Sequence, residues 1–190
     1  SSTTYSVTGT DVNGCTGSAS ATVTVNPLPI VTVNPVSPSI CNGNGTTLTA
    51  VGASGYLWSN AANTAAIIVS PATTTSYSVT GTDANGCTGT ASTSVNVNPL
   101  PLVTVTPPSP TICNGVSTTL TAGGAATYVW STAATTSAVT VSPANSTTYS
   151  VTGTDANGCT GTASALVTVN PLPTVTVSPA STAICNGANA

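Results

Sequence analysis

Six cysteines are the residues of this chain with the most evident covalent chemistry, and they fall into two regular series. Within each series the members are 72 residues apart, as Cys15, Cys87 and Cys159 and as Cys41, Cys113 and Cys185. Neither series has the C-x-x-C spacing of a zinc site, and the chain has no His to complete one. The cysteines therefore predict a disulfide framework and an oxidising, extracellular compartment.

The composition removes most catalytic and ligand-binding chemistry. The 190 residues include no Lys, Arg or His and only three acidic side chains. Without His or Lys there is no catalytic triad, Schiff base or imidazole metal ligand. Without Lys or Arg nothing neutralises a phosphate backbone. We expect a protein that is not an enzyme, needs no cofactor and does not bind nucleic acid. No apolar run is long enough to cross a membrane, so no membrane insertion is expected.

The three acids occupy equivalent places, because Asp11, Asp83 and Asp155 each stand two residues before an Asn-Gly pair. An Asp at the start of a β-turn hydrogen-bonds its own backbone, which is the favoured interpretation. The alternative is a calcium site, for which one carboxylate per turn is few ligands.

A fixed repeat organises the chain. The sequence TTYSVTGTDANGCTGTAS at 147–164 has close copies that begin at Thr3 and Thr75, and each reads as two strands joined by a tight Asn-Gly turn. The tetrapeptide NPLP recurs at Asn26, Asn98 and Asn170 and marks the module boundaries, since proline interrupts sheet pairing. The predicted domains are the C-terminal part of a module at 1–26, complete modules at 29–98 and 101–170, and the start of a further module at 173–190.

Within a module the pattern predicts an all-β sandwich. Short Val- and Thr-rich segments alternate with Gly, Pro, Asn and Ser, and helical periodicity is absent. Alternation places Tyr149 and Val151 on the core face of one strand. The predicted core residues are Trp58, Trp130, Tyr77 and Tyr149. The predicted strands of the module 101–170 are 102–106, 118–122, 127–131, 138–142, 148–154 and 159–169.

The order of Trp130, a strand, a turn and a strand bearing Tyr149 resembles immunoglobulin-like domains. More narrowly, ICNGVSTTLTA at 112–122 followed by the hairpin at 147–164 is similar to the tandem immunoglobulin-like and PKD-like repeats of secreted Bacteroidota surface proteins, including gliding-motility adhesins. The resemblance covers every module and implies an extracellular, mostly structural role. It departs from antibody domains because Leu120 and Val151 stand near the places of the cysteines on strands B and F.

In the topology that this resemblance implies, the two cysteines of one module lie at opposite ends of the sandwich. That favours a bond between consecutive modules, Cys41 with Cys159, with the remaining cysteines bonded outside this stretch. The alternative is a bond inside each module, Cys41 with Cys87 and Cys113 with Cys159. Both close long loops, so the chain entropy does not discriminate between them.

The surface predicts self-association. A net charge of −3 gives little self-repulsion, so other copies or neighbouring repeats are the expected partners. Sequons at Asn44 and Asn145 could carry glycans. Thr-rich runs such as 103–106 and 167–169 suggest either a solvated strand face or an array that binds glycans or ice. Tyr56 and Tyr128, two residues before each Trp, are expected to be buried rather than to stack on sugars. We therefore predict a structural segment of a filament, stalk or adhesin. The alternatives are a glycan- or ice-binding module and the spacer repeats of a secreted enzyme.

Overall fold

The computed structural model describes residues 1–178, 183, 185 and 186, and the regular elements among them are all β-strands. Val, Ile and Thr are frequent in these strands because their branched side chains suit an extended backbone. The strands are β1 (Thr3–Thr10), β2 (Thr16–Val23), β3 (Thr32–Asn34), β4 (Ser39–Cys41), β5 (Thr46–Val51), β6 (Gly55–Trp58), β7 (Ala66–Val69), β8 (Thr75–Thr82), β9 (Thr88–Asn98), β10 (Thr104–Thr106), β11 (Thr111–Cys113), β12 (Thr118–Gly123), β13 (Thr127–Trp130), β14 (Ala138–Val141), β15 (Thr147–Thr154) and β16 (Thr160–Asn170).

The chain divides into two compact units, Ser1–Pro99 and Leu100–Ala190, and each holds one sandwich of seven strands. In the first unit the sheets have the orders β3-β5-β7 and β4-β9-β8-β6. In the second the orders are β10-β12-β14 and β11-β16-β15-β13. This is the division of an immunoglobulin-like sandwich, with strands A, B and E in one sheet and strands A′, G, F and C in the other. The predicted fold class, tandem immunoglobulin-like β-sandwiches, is confirmed.

The first strands of the chain form a sheet of their own. Strands β1 and β2 pair from Thr3 with Val23 to Thr10 with Thr16, which is the register of the F–G hairpin in both sandwiches. Tyr5 of this hairpin is 64% exposed, whereas the equivalent Tyr77 packs against the core of the first sandwich. The hairpin therefore has the register of its two later copies, in which the other strands of a sandwich bury its apolar face.

All six strands predicted for 101–170 are present, with ends shifted by two residues or fewer. A seventh strand, β11, was not predicted. It pairs in parallel with the end of β16, from Thr111 with Thr168 to Cys113 with Asn170. Three residues between a proline-rich segment and a glycine turn are too few to show alternation, so only the partner strand identifies this element.

The cores follow the predicted alternation. In the second sandwich Leu120 and Val151 are almost fully buried, and together they fill the space that a B–F disulfide has in antibody domains. Trp130 is 2% exposed, and its Nε1 donates a hydrogen bond to the Thr136 carbonyl oxygen at 3.0 Å. Trp58 has the same burial in the first sandwich. Tyr77 and Tyr149 are half-buried at the edge of each core.

The segment that leads into each sandwich crosses directly over glycines. A Cβ added at Gly161 would overlap the carbonyl oxygen of Pro101, and one at Gly153 would stand 2.7 Å from Cγ2 of Val103. These distances are shorter than van der Waals contact, so only glycine leaves room for this crossing. The positions of Gly161 and Gly153 inside an otherwise regular hairpin are thus explained by packing against the start of the module.

The domain boundaries that the NPLP segments predict stay predictions. The strands of the two sandwiches lie within 32–98 and 104–170, and the two compact units meet between Pro99 and Leu100. Half of the predicted further module at 173–190 lies outside the described residues. Its described residues, 173–178, 183, 185 and 186, contain no strand.

Candidate functional site: cysteines at the two ends of each module

One cysteine of each module is placed by the turn between strands F and G, which we call the FG turn (residues 11–15, 83–87 and 155–159). In the last copy Oδ1 of Asp155 accepts hydrogen bonds from the backbone N–H of Asn157 and of Cys159, both at 2.8 Å. The same two bonds, at 2.8–2.9 Å, recur at Asp11 and Asp83. The acid thus fixes the backbone of the cysteine that follows it.

The backbone of the FG turn is closed by two further bonds. The N–H of Asp155 donates to the Cys159 carbonyl at 2.9 Å, and the N–H of Gly158 donates to the Asp155 carbonyl at 3.2 Å. Gly158 has a φ of +81°, a conformation that favours glycine. Ala156 and Asn157 are therefore the central residues of a four-residue turn. The tight Asn-Gly turn predicted from sequence is wrong in detail, because the glycine is the fourth residue.

The turn interpretation of the three acids is supported by these bonds. Each carboxylate already accepts two backbone hydrogen bonds within its own turn. In the part of the chain that the structure describes, no three His, Cys, Asp or Glu side chains lie together in a way that could hold a metal ion. The arrangement gives no positive support to the calcium alternative.

The second cysteine of each module ends the short A′ strand. Cys41 lies opposite Asn98 at the end of β9, and Cys113 lies opposite Asn170 at the end of β16. The N–H of the following Asn continues the pairing, since Asn42 donates to the Asn98 carbonyl at 2.9 Å. Residues 41–44 and 113–116, which we call the A′B turn, then lead into strand B.

The two cysteines of one module therefore lie at opposite ends of strand G. Cys87 directly precedes Thr88, the first residue of β9, and Cys41 lies beside Asn98, the last. Ten residue steps of strand span roughly 33 Å, whereas the Cα atoms of a disulfide are about 6 Å apart. The same separation holds for Cys113 and Cys159 on β16. The alternative pairing inside each module, Cys41 with Cys87 and Cys113 with Cys159, is incompatible with this geometry.

The six cysteines differ in state. Cys41 and Cys159 are disulfide-bonded, and Cys159 is fully buried. The thiols of Cys15, Cys87, Cys113 and Cys185 are free, and all but Cys87 are exposed. The pairing of Cys41 with Cys159 itself stays a prediction.

The two tyrosines near each Trp act as clamps on the turn before strand C. The hydroxyl of Tyr128 donates to the Ala125 carbonyl at 2.9 Å and accepts from the Ala125 N–H at 3.0 Å. Tyr56 makes the same pair of bonds with Ala53. Both rings are half-buried against the cores. The expected burial of these rings is therefore partial, and both hydroxyl groups are hydrogen-bonded within the fold.

Hydroxyl side chains form a regular two-column array on the outer face of each F–G hairpin, which we call the hydroxyl ladder. In the last copy the facing pairs are Ser150 with Ser164, Thr152 with Thr162 and Thr154 with Thr160. Neighbouring positions are about 5 Å apart across the strands and about 7 Å apart along them. The runs 103–106 and 167–169, which also suggested a hydroxyl array, alternate between the two faces of a strand: Thr104 and Thr106 are exposed, whereas Val103, Val105 and Val167 are buried. The alternation of Ser and Thr within TYSVTGT was the signal for the larger array.

No model of a protein family matches this chain, and no curated protein matches it. No helix among the described residues has the length and apolar character needed to cross a membrane.

Solved structures that are similar to this chain include the N-terminal four Ig domains of Dscam1 isoform 1.9, at 14% identity and a TM-score of 0.33, with 84% of this chain and 52% of that one covered. A Ca²⁺-stabilised adhesin that helps an Antarctic bacterium bind ice matches at 18% identity and a TM-score of 0.41, with 91% and 58% covered. A 1.5-MDa bacterial ice-binding adhesin, in a structure concerned with its retention on the host cell surface, matches at 18% and 0.35, with 77% and 67% covered. The chain thus spans between half and two thirds of these structures, and the fold assignment depends on the strand topology given above.

Proposed function

We propose that this chain is a structural segment of an extracellular bacterial filament, stalk or adhesin, in which disulfide-stabilised immunoglobulin-like modules are joined in series. The observation that carries the proposal is the placement of one cysteine at each end of both complete sandwiches. A cysteine pair that cannot close within a module is suited to joining one module to the next. The finer assignment, to surface proteins of the Bacteroidota, is part of this proposal and is supported by the sequence resemblance only.

The pairing of A′ with G suits a load-bearing role. Strand β11 runs parallel to β16, so when the loop from Cys41 to Cys159 is not closed by a disulfide, tension along the chain pulls the start of β11 and the end of β16 in opposite directions. The bonds between these strands are then sheared together rather than opened one by one. Beyond the paired residues, the N–H of Asn114 donates to the Asn170 carbonyl and the N–H of Thr168 donates to the Pro110 carbonyl, both at 2.9 Å.

Low charge supports association with other copies or with flanking repeats. The formal charge is −3, and its three carboxylates all lie in FG turns. The rest of the surface is uncharged, so the approach of two copies meets little electrostatic repulsion. The proposal includes an oxidising, extracellular location, because Cys41 and Cys159 are disulfide-bonded.

Single-molecule stretching of the full chain tests the proposal. If Cys41 bonds with Cys159, the residues between them stay hidden until the bond is reduced. At about 3.4 Å per residue, reduction then adds roughly 400 Å to the extended length. The variant Cys41→Ser shows the full length without reductant and is the matched control. No gain in length on reduction, or modules that unfold without measurable force, would contradict the proposal.

The hydroxyl ladder favours a second function, the binding of ice or of a glycan. Its spacing is regular, and the ladder recurs in β1–β2, β8–β9 and β15–β16. Ice-affinity and glycan-array measurements on the full chain test this function. The triple variant Thr8→Val, Thr80→Val and Thr152→Val, which changes the same position in all three copies, should lower retention if the ladder binds. The variant Thr104→Val, at an exposed position on strand A of the other sheet, should leave it unchanged. If retention is no higher than that of an unrelated protein, the ladder does not bind ice or glycans, and the structural role is the one function that stays proposed.

A further inference from the structure

Asn-Gly pairs occur in both kinds of turn, and the two turns treat them differently. The A′B turns contain Asn42–Gly43 and Asn114–Gly115, and the FG turns contain Asn13–Gly14, Asn85–Gly86 and Asn157–Gly158. Glycine has no side chain to hinder approach to its amide nitrogen, so the side chain of a preceding Asn can reach that nitrogen. Local sequence makes the two kinds of pair similar, and any difference in reactivity must come from the fold.

In the A′B turn the glycine amide is open to attack. Asn42, Gly43, Asn114 and Gly115 are all exposed. Among the residues that the structure describes, none accepts a hydrogen bond from the N–H of Gly43 or of Gly115. The turn itself is closed by a single backbone bond, from Asn44 to the Cys41 carbonyl in the first module, at 2.9 Å.

In the FG turn the backbone N–H of the glycine is hydrogen-bonded. The N–H of Gly86 donates to the Asp83 carbonyl at 3.2 Å, and Gly158 makes the same bond to Asp155. The N–H of Asn85 is also fixed, because it donates to Oδ1 of Asp83 at 2.9 Å. An amide nitrogen whose hydrogen is bonded in this way is a poorer nucleophile. The bonds on both sides also restrict the rotation that would bring the Asn side chain to it.

We propose that Asn42 and Asn114 are sites of spontaneous deamidation, whereas Asn85 and Asn157 are protected by the FG turn. The amide nitrogen of Gly43 attacks Cγ of Asn42 and forms a cyclic imide. The side-chain nitrogen leaves as ammonia, which takes up the proton lost by the Gly43 nitrogen. Water then adds to one of the two imide carbonyls, and the ring opens to aspartate or isoaspartate. No oxidant, reductant or enzyme is needed.

Deamidation changes the low net charge of the surface, which is the property that favours association between copies. Each event adds one carboxylate beside the end of an A′ strand. Asn44–Gly45 is a third exposed pair in which the glycine N–H has no acceptor among the described residues. Conversion of Asn42, Asn44 and Asn114 would double the formal charge of −3. As the protein ages, its net negative charge would therefore increase, and the repulsion between copies would increase with it. This inference stands on turn geometry and does not depend on the proposed structural role.

The test is to age the folded full chain at mildly alkaline pH and to map isoaspartate by tandem mass spectrometry after digestion at aromatic residues. We expect isoaspartate to accumulate at Asn42 and Asn114 severalfold ahead of Asn85 and Asn157. In urea the four sites should react at similar rates, since the fold no longer distinguishes them. Isoelectric focusing should show the matching acidic shift.

Two variants sharpen the result. Asn42→Gln should abolish the reaction at that site while Asn114 continues to react, because attack on the longer side chain would need a larger ring. Asp83→Ala should speed the reaction at Asn85, because the turn loses both bonds to the carboxylate. Equal rates at all four sites in the folded chain, or faster reaction in the FG turns, would overturn the proposal.

Discussion

The substitution Asp155→Ala tests how far one carboxylate holds the FG turn. It removes the acceptor of two backbone hydrogen bonds, from Asn157 and Cys159. The first bond is exposed and contributes little. The second holds the N–H of a buried cysteine, and the loss of a hydrogen bond to a buried donor costs about 1–3 kcal/mol. We expect a loss of about 2 kcal/mol in the free energy of unfolding of this module, which lowers its folding constant roughly 30-fold.

Tryptophan fluorescence during urea denaturation measures this loss. In a Trp58→Phe background, Trp130 is the remaining tryptophan and reports on its own sandwich. With a slope of about 1 kcal/mol per M, the midpoint should fall by about 2 M urea. Asp155→Asn keeps the oxygen acceptor and removes only the charge, so it should lose about half as much. Asp11→Ala, in the separate hairpin β1–β2, should leave the Trp130 transition unchanged.

The reasoning would be refuted by an Asp155→Ala midpoint equal to that of the parent. It would also fail if Asp155→Asn and Asp155→Ala were equally unstable, because the retained oxygen would then contribute nothing.

Three further substitutions, the first with a matched control, test the packing by the same fluorescence measurement. Leu120→Ala empties a site that is 0% exposed and should cost about 3 kcal/mol, whereas Leu102→Ala at 83% exposure should cost less than about 0.5 kcal/mol; equal losses would contradict the assigned core. Tyr128→Phe removes both hydrogen bonds of its hydroxyl and should cost about 1 kcal/mol, so an unchanged midpoint would show that the clamp is dispensable. Gly161→Ala would force a methyl group against the Pro101 carbonyl and should cost about 3 kcal/mol, and a neutral result would show that the crossing segment can move aside.

Much of the fold could be predicted because its signals are local. The hairpin at 147–164 reveals itself through alternation, since Val151 is buried while Ser150 and Thr152 face outward. The burial of Trp130 follows from its bulk among small apolar residues. Strand β11 could not be predicted, because its three residues gain their extended form from pairing with β16. The β-turn that starts at Asp155 was predicted, but the loop of the hairpin was not, because the backbone hydrogen bonds of Asp155 select three loop residues, 156–158, over a two-residue Asn-Gly loop.

The candidate site shows the same division. The 72-residue repeat places the cysteines at regular positions in the sequence. The absence of Lys, Arg and His side chains excludes most other chemistry. Sequence distance alone, however, left a bond inside each module open, because the chain entropy of closing either loop is similar. The structure excludes that bond, because the parallel register places Cys41 beside Asn98, at the far end of β9 from Cys87.

Residue type and short-range periodicity were enough to predict the repeat, the hairpins, the core residues and the narrow range of available chemistry. The three-dimensional structure was needed to show that a bond inside one module is out of reach, why Gly153 and Gly161 are glycines, and which Asn-Gly amides are hydrogen-bonded. These features depend on distances between strands that are remote in sequence. Such distances are fixed by the packing of two sheets and leave no pattern in a single strand.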